Sequence, residues 1–245
     1  MSHRLVIIPT YNEKENIEAM VHKVFSLPMA FDLLVVDDGS PDGTGQLVKN
    51  LQEQYPGQLF LEERTGKNGL GTAYIHGFKW ALARDYGYVF EMDADFSHNP
   101  DDLLRLYEAC TQGADVAVGS RYIKGVNVVN WPLHRILLSY GASFYVKLIT
   151  GMRVQDPTAG FVGYRREVLE QLELDRIRFV GYAFQIEMKF KSFVAGFKIA
   201  EVPIVFKDRE LGHSKMNASI VKEAVWGVLR LKWDQLFHKK KTSHS

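Results

Sequence analysis

The sequence holds a single cysteine, Cys110, in 245 residues. One thiol cannot close an internal disulfide, which excludes a disulfide-stapled scaffold and fits a reducing compartment. Neither sign of charge is in excess: Lys and Arg total 30, Asp and Glu 29, for a formal +1. That balance gives no reason to expect nucleic acid or an acidic partner. No uncharged apolar run approaches the roughly 18 residues that span a bilayer. The opening MSHRLVIIPTYNE carries no apolar core ahead of a small-residue cleavage site. A soluble or peripheral protein is expected. There is no internal repeat and no low-complexity segment, and the only charge run is Lys239-Lys240-Lys241.

What is present is 46% apolar residues, enough for a sizeable core, set out as short apolar runs between helical patterns. Leu5–Ile8, Leu33–Val36, Leu59–Glu62, Tyr88–Met92 and Val116–Val118 are too short for helices and are bounded by turn residues, so they predict strands. Glu15–Leu27, Gly45–Gln54 and Thr72–Arg84 carry one-sided apolar spacing and predict helices. Asn99-Pro100-Asp101-Asp102 predicts a helix start: Asn99 caps free amides, Pro100 suits the first turn, and the acids favour the positive end of the dipole. Strand–helix alternation implies an α/β fold with a mostly parallel central sheet and helices on both faces, to about residue 120. Residues 122–155 read as helical and aromatic, Phe161–Tyr164 and Ile199–Phe206 as two more strands. Phe184–Phe193 predicts a helix on which Glu187 is structural.

In a parallel sheet, ligands bind beyond the carboxyl ends of the strands. Three predicted strands end in polar clusters: PTYNE (Pro9–Glu13), VDDGSPDGT (Val36–Thr44) and DADFS (Asp93–Ser97). Together they predict one crevice. Alternation along an extended segment puts Asp93 and Asp95 on one side. Two close carboxylates repel unless they share a proton or hold a divalent cation. A hard ion such as Mg²⁺ or Mn²⁺ takes oxygen ligands and bridges carboxylates to phosphates. The plainer reading of an isolated D-x-D is a capping turn with solvated acids. Asp38 follows a buried strand, where a carboxylate can accept from a nucleobase or ribose; Asp42 and Thr44 suit a turn and helix cap. Gly69-Leu70-Gly71 fails as a dinucleotide fingerprint because Tyr74 stands where the third glycine belongs, and it reads as a close-packed loop.

PTYNE, VDDGSPDGT, GLGTAYIHG, DADFSHNP and GSRY, in that order, resemble the inverting glycosyltransferases of the GT-A fold. The nearer resemblance is to dolichol-phosphate mannosyltransferases and their bacterial polyprenol-phosphate relatives. It extends through DPTAGFVGY (Asp156–Tyr164), GYAFQIEM (Gly181–Met188) and Arg209–Met216. The resemblance implies a GT-A catalytic domain over residues 1–216 and an amphipathic helix with a basic tail over 217–245. It implies transfer of mannose from GDP-mannose to a polyprenol monophosphate with inversion. Pro9, Tyr11 and Glu13 would line the nucleotide pocket, and Val36 and Asp38 would contact the base or ribose. Asp93 and Asp95 would coordinate Mg²⁺ or Mn²⁺ and the diphosphate, with the Ala94 backbone nearby. Ser97, where family members often carry Gln, is the third candidate ligand.

By the same resemblance, Arg121, Arg135 and Ser139 would take the acceptor phosphate. Arg135, Ser139 and Ser143 recur every fourth residue, one stripe of a helix, and the guanidinium fork matches phosphate oxygens. Without the resemblance, a surface salt bridge is the plainer reading of Arg135. Arg209 and Lys215, in KDRELGHSK, would close over the donor diphosphate and stabilise leaving-group charge; His213 reads as a solvated loop residue. Catalysis would rest on position and electrostatics through Asp95, Arg121 and Arg135, with no general base. Residues 131–149 and 217–238 suit a membrane surface on the cytoplasmic face, or equally packing on the sheet or on a second copy, which leaves a homo-oligomer open. The rival functions are the same fold using a donor such as UDP-glucose, a non-catalytic nucleotide-sugar sensor, and a D-x-D phosphatase with Asp93 as nucleophile. In such phosphatases the motif follows the first strand; here it follows the fourth.

Overall fold

The structure is a computed structural model in which residues 3–66, 68–181, 183–208, 225–235 and 237 are described. The first half alternates as the sequence predicts: β1 (His3–Thr10), α1 (Lys14–Phe25), β2 (Asp32–Asp37), α2 (Thr44–Gln52), β3 (Leu59–Glu63), α3 (Leu70–Leu82), β4 (Tyr86–Glu91), α4 (Asp102–Thr111) and β5 (Val116–Ser120). Then come β6 (Val128–Val129), α5 (Leu133–Thr150), β7 (Val162–Arg165), α6 (Arg166–Gln171), a short 3-10 turn (Leu174–Arg176), α7 (Ala183–Val194), β8 (Ile199–Pro203) and β9 (Phe206–Lys207). Residues 225–235 form a further helix, α8.

A seven-stranded sheet runs in the order β3-β2-β1-β4-β7-β5-β8. β1 pairs in parallel with β2 and β4, β2 with β3, and β5 with β8, whereas β7 runs antiparallel to both β4 and β5. The central strands are apolar without alternation because helices cover both faces. Leu5, Val6, Ile7 and Ile8 are all fully buried, and alternate residues serve opposite layers. Val6 and Ile8 pack with Met20, Val21 and Leu103, while Leu5 and Ile7 pack with Phe78 and Phe184. Glycine is required where β7 enters the sheet. Gly163 pairs with Phe90, and a Cβ there would sit 2.6 Å from the Phe90 ring.

The sequence reading departs from the structure mainly past residue 120. Ile199–Phe206 is two strands, because the chain leaves the main sheet after Pro203 and Phe206–Lys207 pairs instead with β6 in a separate two-stranded ribbon. α5 starts only at Leu133, after Asn130 at φ 64 and Pro132. The Asn99 turn is present, with Asn99 Oδ1 accepting from the Asp101 N–H at 3.1 Å, but the helix proper begins at Asp102. The expected boundary at 216/217 lies outside the described residues. Within α8, Val228 and Leu231 pack with Val146, Ile186 and Phe190.

Candidate active site

β1 has β2 on one side and β4 on the other, so the sheet's chain order reverses there, which is where open α/β sheets leave a crevice beyond the strand ends. Pro9 pairs with Val36 and Thr10 with Asp37 at those ends. Asp37 is structural: it accepts from Thr10 Oγ1 at 2.8 Å and from the Ser40 N–H at 2.9 Å, tying the two loops together. The Glu13 N–H donates to Thr44 Oγ1 at 3.1 Å. Asp38, buried, accepts from Arg64 Nε at 2.7 Å, and Arg64 Nη2 also donates to Thr72 Oγ1. Nothing in the sequence singles out Arg64 beyond its being a cation just past a strand end on the same rim. Pro9, Tyr11, Glu13, Val36 and Asp38 thus share the rim at β1 and β2.

The DADFS turn follows β4. Asp95 is buried and its Oδ1 accepts from the Ser97 N–H at 3.1 Å. Phe96 between them has φ 58, a left-handed conformation that bulky residues avoid and that surrounding structure must hold in place. Ala94 is buried, whereas the Asp93 side chain is 39% exposed. The Asp93 N–H donates to His98 Nδ1 at 3.3 Å. Burial pushes the His98 pKa down to about 4, so the ring is neutral and able to accept; it stacks on Phe161 at 4.9 Å.

Ser97 Oγ is buried and has no hydrogen-bond partner among the described residues. An orphaned hydroxyl beside two carboxylates is a hard oxygen set that fits Mg²⁺ or Mn²⁺. No group of three or more His, Cys, Asp or Glu among the described residues is placed to hold a metal ion by itself, so phosphate and water oxygens would complete such a shell.

Asp93, Asp95 and Ser97 line a cavity of about 480 Å³ whose wall also carries Arg121, Arg135 and Ser139. Six predicted residues, drawn from two separate parts of the chain, therefore meet in one space. Pro9, Tyr11, Glu13, Val36, Ala94 and Asp38 do not line it. Arg121 is buried: its Nε and Nη2 grip Asp156 Oδ2 and Oδ1, each at 2.7 Å, and Nη2 also meets Thr158. Burial alone would raise the Asp156 pKa; the Arg121 guanidinium outweighs it and holds the carboxyl below its usual range. Arg135 Nη1 donates to both Asp208 oxygens, and the guanidinium lies 4.0 Å from the centre of the Trp131 ring. Ser139 Oγ accepts from the Tyr122 hydroxyl at 2.8 Å. Ser143, the third of the stripe, is buried and outside the lining. Arg209, His213 and Lys215 lie outside the described residues.

Beneath the cavity runs a polar chain that the sequence did not announce. Lys189 and Glu91 are both fully buried, joined through Gln185, which accepts from Lys189 Nζ at 3.1 Å and donates to Glu91 at 2.8 Å. Burial pushes Glu91 up to about 8 and Lys189 down to about 8. Glu187 is structural, as expected: its Oε2 accepts the N–H groups of Arg178 and Phe179.

The pattern described as "Glycosyl transferase family 2" matches residues 5–173. The chain belongs to this family. It is 48% identical over 229 residues to the polyprenol monophosphomannose synthase of Mycolicibacterium smegmatis, covering 91% of this chain and 86% of that one. It is 45% identical over 237 residues to the undecaprenyl-phosphate mannosyltransferase of Micrococcus luteus, covering 95% and 96%. Against the dolichol-phosphate mannosyltransferase of Pyrococcus furiosus it is 39% identical over 235 residues, covering 94% of this chain and 64% of the other. Among solved structures, glucosyl-3-phosphoglycerate synthase from Mycobacterium tuberculosis, in complex with Mn²⁺, uridine-diphosphate and glucosyl-3-phosphoglycerate, superposes with TM-score 0.67 at 17% identity, covering 96% and 80%. That likeness establishes the fold, which is GT-A. As a family 2 glycosyltransferase whose acid pair follows the fourth strand, the protein is not the D-x-D phosphatase.

Proposed function

We propose that this glycosyltransferase moves mannose from GDP-mannose to the monophosphate of a polyprenol, inverting the anomeric carbon. The observation that carries the reading is the single cavity that joins the acid pair to Arg135 and Ser139 and continues along apolar Leu137, Leu138 and Ile186. It offers a polar end for a diphosphate, a cationic wall for a second phosphate, and an apolar side for a lipid chain. The names of the three relatives support the same pair of substrates.

The donor nucleotide lies along Pro9, Tyr11, Glu13, Val36 and Asp38, with Arg64 keeping the Asp38 carboxylate in place. Asp93, Asp95 and Ser97 hold a divalent ion, which when bound neutralises charge on the donor diphosphate. Arg135 and Ser139 orient the acceptor phosphate, with Arg121, pinned by Asp156, in the wall beside them. Arg209 and Lys215, outside the described residues, have by the family resemblance the task of stabilising leaving-group charge. A phosphate monoester is already ionised near neutral pH, so no side chain need remove a proton. Its oxygen bonds to the anomeric carbon as the bond from that carbon to the diphosphate breaks, and GDP departs. The enzyme's contribution is alignment and electrostatics.

No helix of the described residues is long and apolar enough to cross a membrane. α5 and α8 nevertheless expose Leu133, Leu148, Trp226 and Trp233 by 64–73%. Such a patch suits a bilayer surface, reached from the cytoplasmic side where nucleotide sugars are available. The test is a donor screen with GDP-mannose, UDP-glucose and other nucleotide sugars, a short polyprenyl phosphate, and Mg²⁺, Mn²⁺ or chelator. Metal-dependent product from GDP-mannose is expected; faster turnover of a uridine donor, or none that needs polyprenyl phosphate, overturns the assignment.

A further inference from the structure

Two arginines of the same cavity wall are each paired with a carboxylate, and the pairs are built for different fates. Arg121–Asp156 is sealed: its side chains are 11% and 0% exposed, the contact is two-pronged, and Asp156 Oδ2 also accepts the Arg121 N–H at 3.0 Å. Arg135–Asp208 stands at the mouth, 24% and 31% exposed. There a single nitrogen, Nη1, reaches both carboxylate oxygens, at 2.9 and 2.8 Å. The Arg135 guanidinium is held independently by the Trp131 face, so it stays in position if its carboxylate partner leaves. Asp208 sits directly after β9, its N–H donating to the Val129 carbonyl at 3.1 Å, and the two-residue ribbon aims it at the cavity wall.

We propose that Asp208 is an autoinhibitory residue of the acceptor site: its carboxylate stands on Arg135 in the acceptor phosphate's place, and an acceptor anion must displace it to bind. The proposal rests on the acceptor reading above. A carboxylate offers one negative charge. A monoester near neutral pH brings about −1.5 to −2 and three acceptor oxygens, and an arginine fork takes two of them in parallel. Exchanging Asp208 for a monoester strengthens the contact. Exchanging it for a phosphodiester, with one charge and two unbridged oxygens, gains nothing, and an uncharged alcohol cannot compete. Partial exposure makes the exchange feasible: a pair this wet holds by a factor of only about two to five, and the released carboxylate stays hydrated at the mouth.

The test is steady-state kinetics on the full chain with a short polyprenyl phosphate as acceptor and its methyl diester as competitive inhibitor. D208N keeps the shape and removes the charge. It should lower the KM for the acceptor and the inhibition constant of the diester by the same factor, about two- to fivefold, with the KM for the donor unchanged. D208E, which keeps the charge, should retain the wild-type KM for the acceptor. A raised or unchanged acceptor KM in D208N would make Asp208 a mere support for Arg135 and overturn the proposal. R135A separates the two levels of argument. If R135A raises the acceptor KM while D208N does not lower it, only the stand-in role falls. If R135A leaves the acceptor KM unchanged, the acceptor site itself is misplaced.

Discussion

Helices α1 and α5 are both amphipathic in sequence, and they face opposite ways. α1 buries Ile17, Met20, Val21 and Val24. α5 buries Ser143, Val146 and Thr150 and leaves Leu133, Leu137, Phe144 and Leu148 62–70% exposed. The contrast extends to the two halves of the molecule. Among the described residues, every exposed large apolar side chain lies at or beyond Ile123. Isolated exposed apolar residues are ordinary on soluble proteins, but their confinement to one half is not. The first half closes its core and offers only a polar rim. The second keeps apolar surface uncovered beside the cavity, where an apolar ligand chain or an apolar phase would complete it.

The largest effect is expected where the halves join, at the sealed pair. Arg121→Ala strands a fully buried carboxylate and should cost about 3–5 kcal/mol of stability, read from denaturant midpoints. A loss under about 1 kcal/mol would mean the carboxylate finds solvent. The acid limb carries the same information. Asp156 titrates lower folded than unfolded, so its contribution is present above the unfolded value of about 3.9 and is lost as pH falls through the folded value. Wild type should therefore lose stability steeply below about pH 4, and Asp156→Asn should flatten that limb.

On the polar rim the effect should fall on rate instead. Asp95→Asn keeps the oxygen that accepts the Ser97 N–H and removes the charge facing the cavity. Turnover with Mn²⁺ should drop about 10²–10³-fold with the melting temperature unchanged. If stability falls and turnover does not, the acid pair is only a capped turn.

The first half was legible because short apolar runs, each closed by turn residues, can be little else in an α/β chain. The antiparallel direction of β7 was not, since Phe161–Tyr164 reads alike in either sense. β6 and β9 are too short to leave a pattern. The acids and arginines of the site were visible one at a time, and the fold brought them together. Their partners were invisible: Arg64 with Asp38, Arg121 with Asp156 and Arg135 with Asp208 are 26, 35 and 73 residues apart. Such pairings are tertiary facts with no local signal. Lys189, in the FQIEMK stretch of α7, looks solvated in sequence and is fully buried. The apolar stripe of α5 was readable as a stripe, but spacing is identical whether protein or lipid covers it.

That ambiguity sets the last and smallest test. Met20→Ala in α1 should cost about 2–5 kcal/mol of stability, because a cavity opens in the core. Leu148→Ser in α5 should leave stability within about 0.5 kcal/mol, since the side chain is 70% exposed and does not line the cavity. If the face meets a bilayer, the same change forfeits about 1.5–3 kcal/mol of apolar burial, and flotation with anionic vesicles should show roughly a ten- to hundredfold weaker partition. Phe144→Ser should repeat it. Unaltered partition, together with a dimer in sedimentation that either substitution dissociates, would instead assign the face to a second copy of the chain. The contrast between α1 and α5 would then lie between two protein cores.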